Sequence, residues 1–286
     1  MGRLDRWLAG GLLITDGAWG TQLQARGLAP GETPDTWNLT HPEQVEAVAR
    51  AYVEAGSEII LTNTFRANAI ATDGDIEAIN RAGVEISKRA AAGRALVFAS
   101  IGPTGKTLVT GEISAEQASA AFSAQAAALQ AAGADALLVE TMSDIEEARL
   151  AVAAARTTGL PVIVSFAFDS GKNKDRTMMG ATPEAVAAAM AEAGADAVGS
   201  NCGVGVEHAA PSCRRLHAAC ALPVWIKPNA GLPKLEGGAI RYDTSAEFFA
   251  SHYAALREAG ASFLGACCGS TPDFIRALVA AKCAAN

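Results

Sequence analysis

The chain of 286 residues is 50% hydrophobic, and charged residues make up 19% of it. This composition excludes a disordered chain, and the length suits one α/β barrel or two average domains. A net charge of −7 argues against electrostatic binding to nucleic acid or to an anionic membrane. Neither a signal peptide nor a run of roughly 20 apolar residues is visible, so we expect a cytoplasmic protein with reduced cysteines.

One phrase recurs along the chain: Ala-Gly, a polar residue, and an apolar run that ends in polar groups. Its four copies begin at Ala55, Ala132, Ala193 and Ala259. The glycine suits the end of a helix, and the apolar run suits a strand that is buried on both faces. Four further apolar runs alternate with these copies, which predicts eight strands in all. These runs begin at Leu12, Ala95, Leu160 and Leu222.

Signals for the start of a helix follow most of these strands. Ser114 and Gln117 are spaced as a capping box, and Asp144, Thr182 and Thr271 suit N-cap positions. Eight strand–helix units without an intervening linker predict one (β/α)₈ TIM barrel, a single domain over residues 1–286. The alternative is a doubly wound open sheet, which needs fewer strands or a second domain, and no boundary between domains is visible.

In such a barrel, chemistry takes place where the strands end, at their carboxyl termini. A single polar residue there usually caps the next helix or bonds to a loop. Three cysteines among these strand ends, two of them adjacent, need another explanation. In chain order the candidates include Asp16, Asn63, Thr64, Glu140, Asn201, Cys202, Lys227, Cys267 and Cys268.

The strand-end cysteines have the ligand chemistry of a zinc site. Cys202 ends the sixth strand, and Cys267 and Cys268 end the eighth, so all three approach the same barrel mouth. No histidine lies at a strand end to act as the base for a thiolate nucleophile. Three thiolates suit Zn²⁺ and leave its fourth position for an external thiol. Zinc-activated thiol alkylation, a structural metal and a coincidence of cysteines are the three interpretations. We expect packing roles for the remaining cysteines, Cys213, Cys220 and Cys283.

Longer motifs extend this interpretation, because they resemble the homocysteine S-methyltransferase family over essentially the whole chain. The resemblance is closest to the homocysteine-binding module of cobalamin-dependent methionine synthase, and betaine–homocysteine methyltransferases are also similar. The paired-cysteine motif is its most specific part. The motifs are DGAWGTQL from Asp16, LTNTF from Leu61, IGPTG from Ile101, VET from Val139, GSNCGVG from Gly199, KPNAGLP from Lys227 and GACCGSTPDFI from Gly265.

The resemblance implies a zinc methyltransferase that converts homocysteine to methionine. It implies that Cys202, Cys267 and Cys268 ligate the catalytic zinc, and that Asp16 and Glu140 face the α-ammonium of homocysteine.

The backbone around Gly17 and Ala18 would receive the substrate carboxylate. Asn63, Thr64 and Asn201 are further candidates for the substrate pocket, and hydrogen bonds to adjacent loops are the alternative role for them.

No cobalamin motif and no second barrel are visible, so we expect the methyl donor to come from outside the chain. A separate methylated corrinoid protein or a small onium compound such as betaine or S-methylmethionine would serve. Segment 169–182 would be a partner-docking loop or a solvated loop. The alternatives are a non-catalytic partner of a corrinoid methyl carrier, or methylation of another thiol or a selenol. Four aromatic residues would either hold an onium donor or contribute only to packing: Trp19, Trp37, Phe65 and Tyr242.

Overall fold

Eight parallel strands form a ring in the computed structural model, which describes residues 2–236 and 239–285. Their order around the ring is β1-β10-β7-β6-β5-β4-β3-β2, and a parallel bridge between Thr15 and Ile59 joins the two ends. The two other strands, β8 and β9, pair with each other in antiparallel fashion. The strands are β1 Leu13–Ile14, β2 Ile59–Leu61, β3 Leu96–Ile101, β4 Ala136–Met142, β5 Val162–Phe166, β6 Ala197–Gly205, β7 Val224–Asn229, β8 Lys234–Glu236, β9 Ala239–Arg241 and β10 Ala261–Leu264.

Helices follow the barrel strands and surround the ring, which confirms the predicted (β/α)₈ barrel. Short 3₁₀ turns lie at Pro34–Thr36 and Val206–His208. The helices are α1 Asp5–Leu8, α2 Gly20–Gln24, α3 Trp37–Thr40, α4 Pro42–Glu54, α5 Ile76–Ala91, α6 Ala115–Ala131, α7 Ile145–Arg156, α8 Pro183–Ala193, α9 Ala209–Ala219, α10 Ala246–Ser251, α11 Tyr253–Glu258 and α12 Pro272–Ala284.

The predicted caps begin the helices. Ser114 and Gln117 form both hydrogen bonds of a capping box at the start of α6. The side chains of Asp144, Thr182 and Thr271 each accept a hydrogen bond from the first turn of α7, α8 and α12. These bonds satisfy backbone N–H groups that a helix start leaves unpaired. At the other end of α8, Gly194 has a φ of 81°, as the repeated Ala-Gly phrase predicts.

The barrel interior is apolar at its amino-terminal end. Phe98, Trp225 and Phe263 pack there with ring centroids 5.3 to 6.4 Å apart. Leu4, which precedes α1, is buried in the same cluster, and Trp7 of α1 packs 5.3 Å from Phe98. The first residues therefore close this end of the barrel. Polar side chains occupy the opposite, carboxyl end.

Several local features differ from the sequence-based expectations. Strand β1 has only two residues, and the β8–β9 pair was not predicted. Cys213 is buried as expected, and Cys220 is half-buried after α9, but Cys283 is exposed on α12, contrary to a packing role. Within the described residues, no helix combines the length and apolarity needed to span a membrane.

Candidate metal centre and substrate cavity

Three cysteine sulfurs converge at the carboxyl end of the barrel. Cys202 lies in β6, and Cys267 and Cys268 follow β10, two places away around the ring. The Sγ atom of Cys202 is 2.8 Å from that of Cys267 and 3.9 Å from that of Cys268. All three sulfurs lie within 4.8 Å of one another, and all three residues are half-buried. The strand order thus brings together residues 65 and 66 positions apart.

Strand β7 lies between the two cysteine-bearing segments and bonds to both. Cys202 is opposite Pro228 in the β6–β7 register, and the Cys267 N–H donates to Pro228 O at 2.8 Å. The Ala230 N–H donates to Cys268 O at 2.9 Å. Cys202 also has a φ of 55°, in the left-handed region that residues other than glycine seldom adopt. The backbone therefore determines where the sulfurs lie.

The donor set fits Zn²⁺. Zinc binds soft thiolates at about 2.3 Å in tetrahedral sites, so sulfurs this close to one another fit around one ion. In the part of the chain that the structure describes, no other group of three His, Cys, Asp or Glu side chains converges in this way. Three protein ligands leave one tetrahedral position for an external ligand, which is the arrangement of a catalytic zinc rather than a structural one.

The thiols interact strongly with one another without a metal. Hydrogen bonds from Cys202 and Cys267 stabilise the Cys268 thiolate and lower the pKa of Cys268 to about 3. The pKa of Cys202 is raised well above its usual value, because its thiol bonds to the other two sulfurs and is buried. A metal that binds all three as thiolates must therefore displace protons.

A cavity of about 270 Å³ adjoins the sulfurs. Its wall includes the three cysteines, Glu140 and Thr141 of β4, Lys227 of β7, and the segments that follow β1 and β2. Other surface grooves lie along α4 and α6, but the ligand cluster does not reach them. The cavity is therefore the candidate substrate site, because it combines a concave surface with converging charged and metal-ligating groups.

Asp16 is fully buried outside the cavity wall, and both of its carboxylate oxygens accept hydrogen bonds. Its Oδ1 accepts from Lys227 Nζ. Its Oδ2 accepts from Trp19 Nε1 at 2.8 Å and from the Leu61 N–H at 2.7 Å. A substrate ammonium would have to displace Lys227 to reach Asp16.

Lys227, a strand-end residue to which the sequence assigned no role, is the partner of Asp16. Its side chain is 2% exposed, yet it contributes to the cavity wall. Burial opposes its charge, but Asp16, Glu140 and Cys267 outweigh that effect and raise the pKa of Lys227. The site therefore contains a buried ammonium.

Glu140 projects into the cavity from β4 and is 8% exposed. Its Oε1 accepts from Ser100 Oγ. Burial raises the pKa of Glu140 to about 7, an effect that Cys267 and Asp16 reinforce and Lys227 opposes.

Asn201 links the ends of β4 and β6. Its Oδ1 accepts from the Thr141 N–H at 2.8 Å and from Ser165 Oγ. Its Nδ2 donates to Thr141 Oγ1 at 2.6 Å and to Glu140 Oε2 at 3.4 Å. Thr141, like Cys202, has a positive φ, here 60°. Asn201 is 1% exposed and is not part of the cavity wall, so it holds the cavity residues in place from behind.

Gly17 and Ala18 line the cavity, and the Ala18 backbone already bonds to other parts of the protein. The Ala18 N–H donates to Ser270 Oγ at 3.0 Å, and Ala18 O accepts from Tyr52 Oη at 2.7 Å. A Cβ at position 17 would lie 2.6 Å from Ser270 Oγ and 2.7 Å from Tyr52 Oη. Packing against these two side chains is thus sufficient reason for a glycine here.

Asn63 and Thr64 differ in their relation to the cavity. Asn63 lines it, while its Nδ2 donates to Pro34 O at 2.7 Å and to Asn38 Oδ1 at 3.0 Å. Thr64 is fully buried outside the cavity wall and donates to Ser100 O at 2.7 Å. Both residues fix the loop after β2.

Asp35, which no sequence motif indicated, lines the cavity from the 3₁₀ turn after β1. Burial raises the pKa of Asp35 to about 6, and its Oδ1 accepts from the Arg66 N–H at 2.8 Å. No motif marks it, because its burial depends on contacts between separate loops.

Of the aromatic candidates, Trp19 and Phe65 line the cavity, whereas Trp37 and Tyr242 do not.

Known proteins resemble this chain over nearly its full length. It is 31% identical to the methionine synthases of Mycobacterium leprae and Mycobacterium tuberculosis, over 98% and 94% of the chain. The chain spans about a quarter of the length of these relatives, 25% and 24%. The homocysteine methyltransferase MmuM from Escherichia coli superimposes with TM-scores of 0.77 for its apo form and 0.79 for its metallated form. Both are 26% identical to this chain, and the alignments cover 98% and 97% of it and 99% of each MmuM chain.

A family model described as homocysteine S-methyltransferase matches residues 13–282. This range includes every barrel strand and all three converging cysteines. The match confirms the family that the motifs predicted. The chain belongs to the homocysteine S-methyltransferase family.

Proposed function

We propose that Cys202, Cys267 and Cys268 hold a catalytic Zn²⁺ and that the adjoining cavity binds homocysteine for methylation to methionine. The observation that carries the proposal is the convergence of three sulfurs within 4.8 Å on the wall of that cavity. When bound there, zinc would keep the substrate sulfur in its nucleophilic thiolate form at neutral pH.

The chain's own residues orient the substrate. In this proposal Glu140 accepts the α-ammonium of homocysteine, because it is a carboxylate within the cavity that lies close to the sulfurs. Asn201 holds Glu140 and Thr141 in position through the bonds described above. The thiol proton leaves to solvent as the substrate binds, the fixed thiolate sulfur then attacks the donor's methyl carbon, and the bond from that carbon to the donor breaks. Fixed geometry of this kind lowers the entropic cost of a two-substrate reaction.

Two kinds of methyl donor are compatible with the cavity and its surroundings, a small onium compound and a protein that carries the methyl group. Trp19, Phe65 and Asp35 all line the cavity, and aromatic rings and a carboxyl group suit an onium donor. Exposed apolar side chains on segments after barrel strands, such as Val109 and Met178, suit a protein that carries the methyl group. A screen with purified protein, homocysteine and betaine, S-methylmethionine, methylcobalamin or a methylated corrinoid protein distinguishes these sources. Homocysteine binding without methionine formation from any donor would favour the non-catalytic alternative.

The metal assignment is tested by comparing two sets of cysteine variants. We expect one zinc per chain in the wild type, and loss of both zinc and methyl transfer in Cys202→Ala and Cys268→Ala. Cys220→Ala and Cys283→Ala are matched controls, because these residues lie outside the cluster and should retain both properties. Full zinc content and full activity in Cys202→Ala or Cys268→Ala would contradict the proposal.

A further inference from the structure

Lys227 has unused hydrogen-bonding capacity at a buried position. An ammonium group has three N–H donors, and among residues 2–236 and 239–285 Asp16 Oδ1 is the acceptor for Lys227 Nζ. The side chain is only 2% exposed, and buried donors without acceptors are costly. Because Lys227 contributes to the cavity wall, an anionic group in the cavity is a suitable partner for the remaining donors.

Asp16 fixes the position of this ammonium. The second oxygen of Asp16 is held by Trp19 Nε1 and the Leu61 N–H, at 2.8 and 2.7 Å, so the carboxylate has little freedom to rotate. Asp16 is fully buried and is not part of the cavity wall. It is therefore a positioning residue that acts through Lys227.

The cavity also contains the opposite charge. Glu140 lies in its wall, and Lys227 and Glu140 each affect the other electrostatically. Both groups also interact with Cys267, so both lie near the sulfur end of the site. Homocysteine carries its ammonium and carboxylate on one carbon, two methylene groups from the sulfur. An ammonium and a carboxyl group beside the thiol cluster match this zwitterion.

The backbone alternative for the carboxylate is weakened by an existing bond. The Ala18 N–H already donates to Ser270 Oγ at 3.0 Å. We infer that Lys227 binds the α-carboxylate of homocysteine while Glu140 accepts its α-ammonium, so that this charge pair selects an amino-acid thiol. The inference rests on the proposed function, since it takes homocysteine as the acceptor.

Three thiols that differ by one charged group separate the two contacts. Homocysteine has both groups, 4-sulfanylbutanoate lacks the ammonium, and 3-aminopropane-1-thiol lacks the carboxylate. Calorimetry on the zinc-loaded protein measures their binding without any methyl donor. In Lys227→Met we expect affinity for the two carboxylate-bearing thiols to fall about 10- to 100-fold, with a change below about twofold for 3-aminopropane-1-thiol. Glu140→Gln should weaken homocysteine and 3-aminopropane-1-thiol instead.

A second variant guards against misfolding. Lys227→Met alone leaves the Asp16 charge buried without its partner, which is destabilising, whereas Asp16→Asn/Lys227→Met removes both charges. The double variant should bind zinc normally and show the same pattern of thiol selectivity as the single variant. Binding of 4-sulfanylbutanoate to the wild type and to the double variant isolates the carboxylate contact, because this thiol has no ammonium group for Glu140 to accept.

Four results would overturn the inference. Equal losses for all three thiols would mean that Lys227 acts on the sulfur or the metal, and unchanged binding of 4-sulfanylbutanoate would mean that it contacts no carboxylate. If the zinc-loaded wild type binds none of the thiols, the proposed function fails and the inference fails with it. Wild-type selectivity for homocysteine that persists unchanged in the lysine variants would overturn the inference alone.

Discussion

The two ends of the barrel interior are built from the same strands but have opposite chemistry. On four strands, an inward apolar residue is followed two positions later, on the same side, by an inward polar one. All of these residues are buried, so exposure does not distinguish the two ends. The pairs are Phe98 and Ser100, Leu138 and Glu140, Ile163 and Ser165, and Trp225 and Lys227.

The two ends differ in the kind of contact that holds their side chains. We call the apolar residues of these pairs the lower layer and the polar residues the upper layer. Ring contacts and the segment around Leu4 hold the lower layer, and such contacts require complementary shape but no particular bond direction. In the upper layer, Ser100 bonds to Glu140, Ser165 bonds to Asn201, and Lys227 bonds to Asp16. The lower layer should therefore determine stability, and the upper layer should determine metal and substrate binding.

Removing a ring from the lower layer tests the first half of this comparison. Phe98→Ala should lower the free energy of unfolding by roughly 3 to 5 kcal/mol, because it creates a cavity among buried rings. Denaturant titration measures the effect. Phe248→Ala is the control, since Phe248 is 49% exposed on α10 and should contribute far less. Loss of zinc binding by the still-folded Phe98→Ala protein would contradict the division between the layers.

The barrel could be predicted from the sequence because its signals are local. The Ala-Gly phrase marks the end of a helix and the start of the next strand, and its four copies precede β2, β4, β6 and β10. The capping residues are equally local. The β8–β9 pair lacked such a signal, because its strands have three residues each.

The site was predictable only as far as strand order determines it. Cys202 and Cys267 meet because β6 and β10 lie two places apart, which follows from the barrel itself. The Asp16–Lys227 pair, 211 positions apart, depends on side-chain geometry that strand order does not specify. The alternation on β7 was an available signal, since Lys227 stands two residues after the inward-facing Trp225. Asp35 had no comparable signal.

Glu140 should have a smaller effect on the free energy of unfolding, and this effect depends on pH. Its pKa is raised from 4.5 to about 7 by burial, so between these values the native state retains a proton that the unfolded chain has lost. Stability therefore falls as pH rises through this window, by about 3 kcal/mol for this group. Glu140→Gln should match the wild type near pH 4.5 and be more stable above pH 7.

The measurement is denaturant unfolding of metal-free, reduced protein at several pH values, with the variant compared with the wild type at each. Glu54→Gln on α4 is the matched control, because that side chain is exposed and folding does not remove it from water. A constant difference between Glu140→Gln and the wild type across the window would show that the Glu140 carboxyl is not desolvated. The upper layer would then be more hydrated than its burial indicates.

Asn201 should have the smallest effect on stability but a specific effect on binding. Asn201 does not line the cavity. Its side-chain amide bonds to Thr141, Glu140 and Ser165, and the residue directly precedes Cys202 in the chain. Asn201→Ala should weaken zinc or homocysteine binding about 10- to 100-fold while saturating zinc restores one ion per chain. Competition with a chelator measures the metal affinity, and calorimetry measures the thiol affinity. Ser165→Ala removes one bond to the same amide and should have a smaller effect. If Asn201→Ala lowers stability as much as Phe98→Ala does without changing either affinity, the upper layer is structural in the same sense as the lower one.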